Sequence, residues 1–249
     1  MKTDRILVMA GILLALALIF SCSSDGNDDA SSPTSSSSGG EIFSTVCDIQ
    51  GYRTVEINGQ IWMAENLNCN VSGSKCYGES GQVFVEETDD EMIFTTLSPA
   101  EVQANCEKYG RLYNWETASR VCPSGWHLPS NEDWDKLYSF AEDGECEYYS
   151  ERSGAYHGYC PTAGKNLKSD RHGFLALPGG AGAFDFNGSS GGFLFGQVGY
   201  VGYWWSSSKY EAMYRRHYYR IISFYDGDDR AWWADDNDTS MYSVRCVKD

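Results

Sequence analysis

The sequence predicts an α+β domain: a single disulfide-stapled unit with short helices and a meandering, mostly antiparallel sheet. Three observations predict it. Capped helical segments occupy the middle of the chain, and short apolar runs separated by Gly, Asn and Asp follow Lys168, the segregated order of an α+β unit. Eight cysteines, an even number, remain after Cys22, which in an exported chain reads as a disulfide framework. The hydrophobic fraction is 42%, with 17 Tyr, 11 Phe and 8 Trp, enough for a packed core.

The leader comes first. Lys2 and Arg5 precede an apolar run from Ile6 to Phe20, the length of a signal-peptide core and too short to span a bilayer. Ile19-Phe20-Ser21-Cys22 resembles the lipobox of bacterial lipoproteins, in which cleavage precedes the cysteine and its thiol takes diacylglycerol. Residues 1–21 are therefore expected to be a signal peptide and Cys22 the lipidated residue. Two or more acyl chains anchor a protein stably where one does not.

Residues 22–40 form the tether. From Ser23 to Gly40 there is no large apolar residue, and random-coil scaling gives a reach on the order of 20–25 Å. Asp25, Asp28 and Asp29 resemble the surface-export signal of Bacteroidetes-type lipoproteins. That implies an outer-membrane, surface-facing location.

The folded domain is expected over residues 41–249. The whole chain, with 35 acidic and 19 basic residues and a formal net charge of −16, lacks the clustered Lys and Arg that nucleic acid requires. The same charge opposes docking on anionic lipid. The expected disulfides are Cys47–Cys69, Cys76–Cys106, Cys122–Cys246 and Cys146–Cys160, one connectivity among the 105 that eight cysteines allow. No C-x-x-C pair occurs, which argues against a zinc ribbon or a thioredoxin-type redox site.

Asn58-Gly59, flanked by alternating Thr54–Ile57 and Gln60–Met63, signals a hairpin, because both turn positions need φ > 0. Ser98-Pro99-Ala100-Glu101 is a capping box with proline at the first helical position; its helix should run toward Lys108 and end at Gly110. Asn114 to Val121 is a second, shorter helix with Trp115, Ala118 and Val121 on one side. Ser130 to Asp133 starts a third, whose Trp134, Leu137, Tyr138 and Ala141 repeat at i, i+3, i+4, i+7. Strands are expected at Gly173–Leu177, Phe193–Val198, Tyr200–Ser206, Met213–Tyr225, Arg230–Trp233 and Met241–Val247.

Seven stretches then carry a resemblance: Gln60–Asn68 (QIWMAENLN), Tyr109–Trp115 (YGRLYNW), Cys122–Ser130 (CPSGWHLPS), Ala163–Lys168 (AGKNLK), Gly173–Gly180 (GFLALPGG), Gly202–Ser207 (GYWWSS) and Ser243–Asp249 (SVRCVKD). In this order they resemble the Fibrobacter succinogenes major paralogous domain of exported bacterial proteins, many of them lipoproteins. The resemblance runs from about residue 52 to the end. Residues near 78–104 and 144–161 look like insertions. Cys47, Cys69, Cys146 and Cys160 are extra to the pattern, which supports pairing them with each other. The domain is similar in turn to formylglycine-generating enzymes and to C-type-lectin-like folds. His127–Ser130 with Asp133-Trp134 resembles the RLPTEAEW stretch of those enzymes, and Arg245-Cys246 their terminal FRC segment. Their copper-binding cysteine pair has no counterpart between Cys160 and Cys246, so the resemblance does not imply their activity.

Other chemistry is weakly signalled. Gly188–Gly192 fits G-x-S-x-G, but a nucleophile elbow must open a helix and Phe193-Leu194-Phe195 is strand-like. His127, His157, His172 and His217 lack metal spacing; His127 reads as a packed or hydrogen-bonded residue. Asp226, Asp228, Asp229, Asp235, Asp236 and Asp238 cluster near the end, and hard cations want several oxygens. A structural calcium is the candidate there, against the favoured reading of a solvated acidic turn. No other cofactor is expected. Tyr203, Trp204, Trp205, Tyr218, Trp232 and Trp233 are candidate ligand-binding aromatics that could stack on sugars or anchor a partner, against the reading that they fill the sheet core.

The expectation is thus a membrane-anchored lipoprotein whose domain binds or scaffolds without catalysis at the cell envelope, with a polysaccharide or an envelope protein as partner. The rivals are a glycan or plant-polysaccharide adhesin using the late aromatics, and a diverged enzyme of the formylglycine-generating type.

Overall fold

The computed structural model describes residue 47 and residues 51–87, 92–150, 156–184, 192–209, 216–225 and 227–249. The expected signal peptide, Cys22, the tether, Asp226 and residues 188–191 lie outside the described residues. So do Tyr210 to Arg215, which include the first residues of the strand expected at Met213.

The domain is mixed and rich in sheet. Its first hairpin joins β1 (Thr54–Ile57) to β2 (Gln60–Met63). Asn58 at φ 50° and Gly59 at φ 75° make the turn, as the Asn-Gly signal requires. Next come β3 (Ser74–Lys75), β4 (Gly81–Glu87) and β5 (Met92–Thr95). Helix α1 (Pro99–Tyr109) has both halves of its capping box and ends at Gly110 with φ 76°. After β6 (Leu112–Asn114), Asn114 caps the single turn α2 (Trp115–Ala118), shorter than the stretch to Val121 expected for it. Then follow β7 (Trp126–His127) and α3 (Asn131–Ala141). The Ser130 hydroxyl and the Asp133 carboxylate form the second capping box, and Trp134, Leu137, Tyr138 and Ala141 are the buried face.

Strands β8 (Glu147–Ser150) and β9 (Tyr156–Cys160) precede α4 (Ala163–Lys168). The late part holds β10 (Ala181–Phe184), β11 (Phe193–Gly196), β12 (Val201–Lys209), β13 (Arg216–Ser223), β14 (Ala231–Asn237), β15 (Ser240–Ser243) and β16 (Val247–Lys248).

Two sheets result. The larger runs β5-β4-β11-β10-β15-β12-β13-β14-β9-β8, with β6 joined to β15 and β3 to β6. The smaller runs β1-β2-β16-β7. β12 to β14 are the expected antiparallel meander. Two joins are parallel, β4 with β11 and β12 with β15.

Three strand expectations need correction. The order is not helices first and strands later, because β3, β4 and β5 precede the helices and enter the same large sheet. The stretch Met241–Val247 is two strands, one in each sheet. Gly173–Leu177 is not a strand. Leu175 sits at φ 50°, and the carbonyls of Phe174 and Leu175 accept from the buried Arg245 guanidinium; those acceptors are turned inward, away from any ladder.

Helices α3 and α4 cover one face of β12–β14. Trp134, Leu137, Tyr138, Ala163 and Leu167 pack there against Trp204, Ile222, Ala231 and Trp233. At the centre Trp62, Trp134, Phe174 and Trp204 meet edge-on or tilted, with ring centroids 4.9–6.4 Å apart. These geometries suit aromatic quadrupoles. Four disulfides close the domain: Cys47–Cys69, Cys76–Cys106, Cys122–Cys246 and Cys146–Cys160. The third closes 124 residues, worth about 4–5 kcal/mol in the chain-entropy account.

Candidate functional site

The motif residues converge on one buried hub. Asn66 is 4% exposed. Its Oδ1 accepts from Trp204 Nε1 and from Arg245 Nε, each at 2.9 Å. Its Nδ2 donates to the Tyr109 carbonyl at 2.9 Å and to Ser243 Oγ at 3.3 Å. Arg245 is fully buried; it lies over the Phe174 ring at 4.2 Å and donates to the carbonyls of Phe174 and Leu175. Burial, opposed by Glu65, holds its guanidinium down to about 9. Five of the seven motif stretches thus meet through one carboxamide and one arginine.

Asn66 is also the floor of an open cleft of about 390 Å³, within the size range of ligand sites. Gly51–Arg53, Glu65, Asn66, Asn68, the end of α1 and Leu177 line it. Arg53 Nε and Glu65 Oε1 pair at 2.6 Å. The backbone N–H of Asn68 donates to Tyr52 Oη at 2.8 Å, and the Asn68 side chain to the Cys106 carbonyl at 3.0 Å. Burial pushes the Tyr52 phenol up, so it acts as a neutral hydrogen-bonding group. The lining offers hydroxyl, amide and ion-pair contacts. It holds no thiolate, since all eight described cysteines are in disulfides.

The candidate aromatics sit mostly inside. Trp204 and Trp205 are fully buried, and Tyr203, Tyr218 and Trp233 are 2–7% exposed. Trp205 Nε1 donates to the Tyr113 carbonyl at 2.7 Å, and Tyr203 stacks on Tyr242 at 5.1 Å. These five rings fill both faces of the meander because a sheet covered on one face only by α3 and the six-residue α4 needs bulky side chains for a core. They therefore do not form a surface platform. Trp232 alone of the six is half-buried; it lies 4.6 Å from Tyr159, with Arg230 over its ring at 4.5 Å.

Among the described residues the late aspartates are not gathered around a common point. Asp228 pairs with Arg230 at 2.9 Å. Lys168 Nζ, lying 2.8 Å and 2.7 Å from the carbonyls of Ser223 and Asp228, already supplies a cation to that turn. Asp235 contacts His157 at 2.6 Å. Asp236 accepts from Tyr242 and Ser240 at 2.6 Å and 2.7 Å. Asp238 is half-buried near His217. Asp235 and Asp236 are neighbours on a strand and point to opposite faces. Among the described residues the cluster that satisfies metal-ligand distances is Glu142 with Cys146 and Cys160, whose sulfurs are bonded to each other.

The histidines are embedded in contacts. His127 Nδ1 meets Asp249 at 2.6 Å and Nε2 meets Asp133 at 3.4 Å, the hydrogen-bonded role expected for it. His217 stacks on Trp115 at 3.7 Å. The cleft was not foreseen from the sequence; its residues come from separated segments, and its only signal was that two motif stretches, Gln60–Asn68 and Tyr109–Trp115, hold polar residues with no evident helical or strand role.

Fold and hub together define a sheet-rich, disulfide-closed module whose signature residues hold the core. The sequence pattern of the Fibrobacter succinogenes major domain matches residues 55–248, and the chain belongs to that family. No curated protein and no solved structure matches the chain.

Proposed function

We propose that the protein is an exported lipoprotein, anchored at Cys22 in the outer membrane and facing the surface, whose domain binds or scaffolds without catalysis. The observation that carries this reading is the hub: Asn66, Trp204 and Arg245 are engaged with each other and with backbone, so the motif residues build a frame and not a reactive centre. The open cleft above Asn66 is where this reading places a ligand rich in hydroxyl or amide groups. Kinship with formylglycine-generating enzymes and C-type-lectin-like folds belongs to the same proposal and rests on the His127–Ser130 and Arg245-Cys246 motifs. The enzyme rival needs a reactive cysteine pair, and the bonding of all eight described cysteines speaks against it. The adhesin rival retains one specific support, the half-buried Trp232–Tyr159 pair.

Fatty-acid labelling of cells expressing the chain and its Cys22→Ala variant tests the anchor. Label is expected on the chain and absent from the variant; a labelled variant that still fractionates with membranes sinks the anchor. Pull-down of the full chain in detergent on cellulose, xylan and peptidoglycan tests the ligand reading. Tyr52→Ala should abolish retention and Trp232→Ala should leave it intact; the reverse pattern selects the adhesin.

A further inference from the structure

One bridge differs from the other three in its electrostatic surroundings. Arg111 is 7% exposed. Its Nε donates to Ser74 Oγ at 2.9 Å and its Nη2 to Glu79 at 2.8 Å. Its Nη1 is aimed at sulfur, 3.1 Å from Cys76 Sγ and 3.5 Å from Cys106 Sγ. Both sulfurs are in the Cys76–Cys106 disulfide, and among the described residues no other bridge shows a cation in contact with its sulfurs. Cys106 also borders the open cleft, beside Lys108.

The geometry points to Cys76–Cys106 as a redox-labile bond, opened from the cleft by a dithiol reductant. A reductant thiolate attacks Cys106 Sγ, forming a mixed disulfide and breaking the Cys76–Cys106 bond. The electron pair leaves on Cys76 Sγ, the sulfur nearest the guanidinium. The second thiol of the reductant, as thiolate, then displaces Cys106 and closes its own disulfide. Two electrons pass to the protein, and the two protons of the dithiol end on the released cysteines or in solvent. A neighbouring cation favours thiolate over thiol, and a better leaving thiolate departs faster. Arg111 therefore favours both the departure of Cys76 and the reduced state.

The position gives the bond a consequence. It closes 30 residues around β4, β5 and most of α1, the stretch that looks inserted. Opening it removes the covalent foot of that excursion and leaves it attached through the parallel β4–β11 ladder.

The test equilibrates the full chain in graded reduced and oxidised dithiothreitol, then alkylates free thiols and maps them by mass spectrometry. Cys76–Cys106 is expected to open first. Arg111→Gln is expected to lower its equilibrium constant for reduction about tenfold, which is about 30 mV for a two-electron couple. Glu79→Gln, which removes the competing carboxylate, is expected to raise it. Both variants remove one partner of the same ion pair, so mere loosening of the fold would ease reduction in both. Opposite directions support the electrostatic assignment. Another bridge opening first, Arg111→Gln easing reduction, or Glu79→Gln failing to raise it overturns the inference. If Arg111→Gln does not fold, the order of opening and the Glu79→Gln result decide.

Discussion

Replacing Asn66 with alanine removes the hydrogen-bond acceptor that Trp204 and Arg245 share. The buried indole Nε1 and the buried guanidinium Nε both lose their acceptor, and the Tyr109 carbonyl loses a donor. A buried donor left unpaired costs about 1–3 kcal/mol, more when it is charged. The two donors with the lost donation add to a destabilisation of about 3–5 kcal/mol. Urea unfolding with disulfides intact, followed by tryptophan fluorescence, measures it. With a slope of about 2 kcal/mol/M, the midpoint should fall by about 2 M while the slope stays constant. Asn70→Ala, at an exposed position, should stay within about 0.5 kcal/mol of the parent. Arg245→Met removes the buried charge itself, so the Asn66→Ala/Arg245→Met double variant should cost less than the two singles together by at least about 1 kcal/mol. An Asn66→Ala cost below about 1 kcal/mol, or strict additivity, would refute the hub as the organising contact.

Further outcomes follow from single contacts. Burial holds the His217 imidazole down to about 4, against the pull of Asp238 and with Lys209 adding to the shift. The unfolded chain takes up that proton near pH 6.5, so stability present above that pH is lost as pH falls toward 4. The loss at pH 5 should be about 2 kcal/mol by linkage, seen as a lower urea midpoint; a His217→Gln variant that keeps the same pH slope would refute the assignment. Gly110→Ala should cost about 2–4 kcal/mol, because a Cβ there would lie 2.8 Å from the Leu67 carbonyl at φ 76°; thermal melting within about 1 °C of the parent would contradict that. Millimolar calcium against chelator should leave the melting temperature within about 1 °C, because Asp228, Asp235 and Asp236 already meet Arg230, His157 and Tyr242; a rise of several degrees would restore the calcium reading.

What was legible in the sequence was local. Ser98 and Ser130 announce their helices because an N-cap acts within three residues, and Asn58-Gly59 announces its hairpin because the turn needs two left-handed residues in a row. The helix face of Trp134, Leu137, Tyr138 and Ala141 is a period read directly along the chain. Strands β3, β6 and β7, of two or three residues, carry no period to read. The parallel join of β4 to β11 depends on Gly81 meeting Phe193, a pairing that neither segment encodes alone. Gly173–Leu177 looks like a strand because its residues are apolar, and it fails to be one because Arg245, 70 residues away, claims its carbonyls. The late aromatics read equally as surface or core, since alternation on a strand does not say which face is covered. The contact of Arg111 with the Cys76 sulfur is not legible locally, because 35 residues separate the two.

Strand β16 lies between β2 and β7, and Cys246 beside it is the mate of Cys122. Neither the small sheet nor the longest covalent loop can be completed until residues 246–248 have emerged from synthesis. Until then Trp62 has no cross-strand neighbour on that side and Cys122 carries an unmated thiol. Chains cut before Cys246 should accordingly leave both the small sheet and that loop open, whatever the state of the hairpin and helices that precede them.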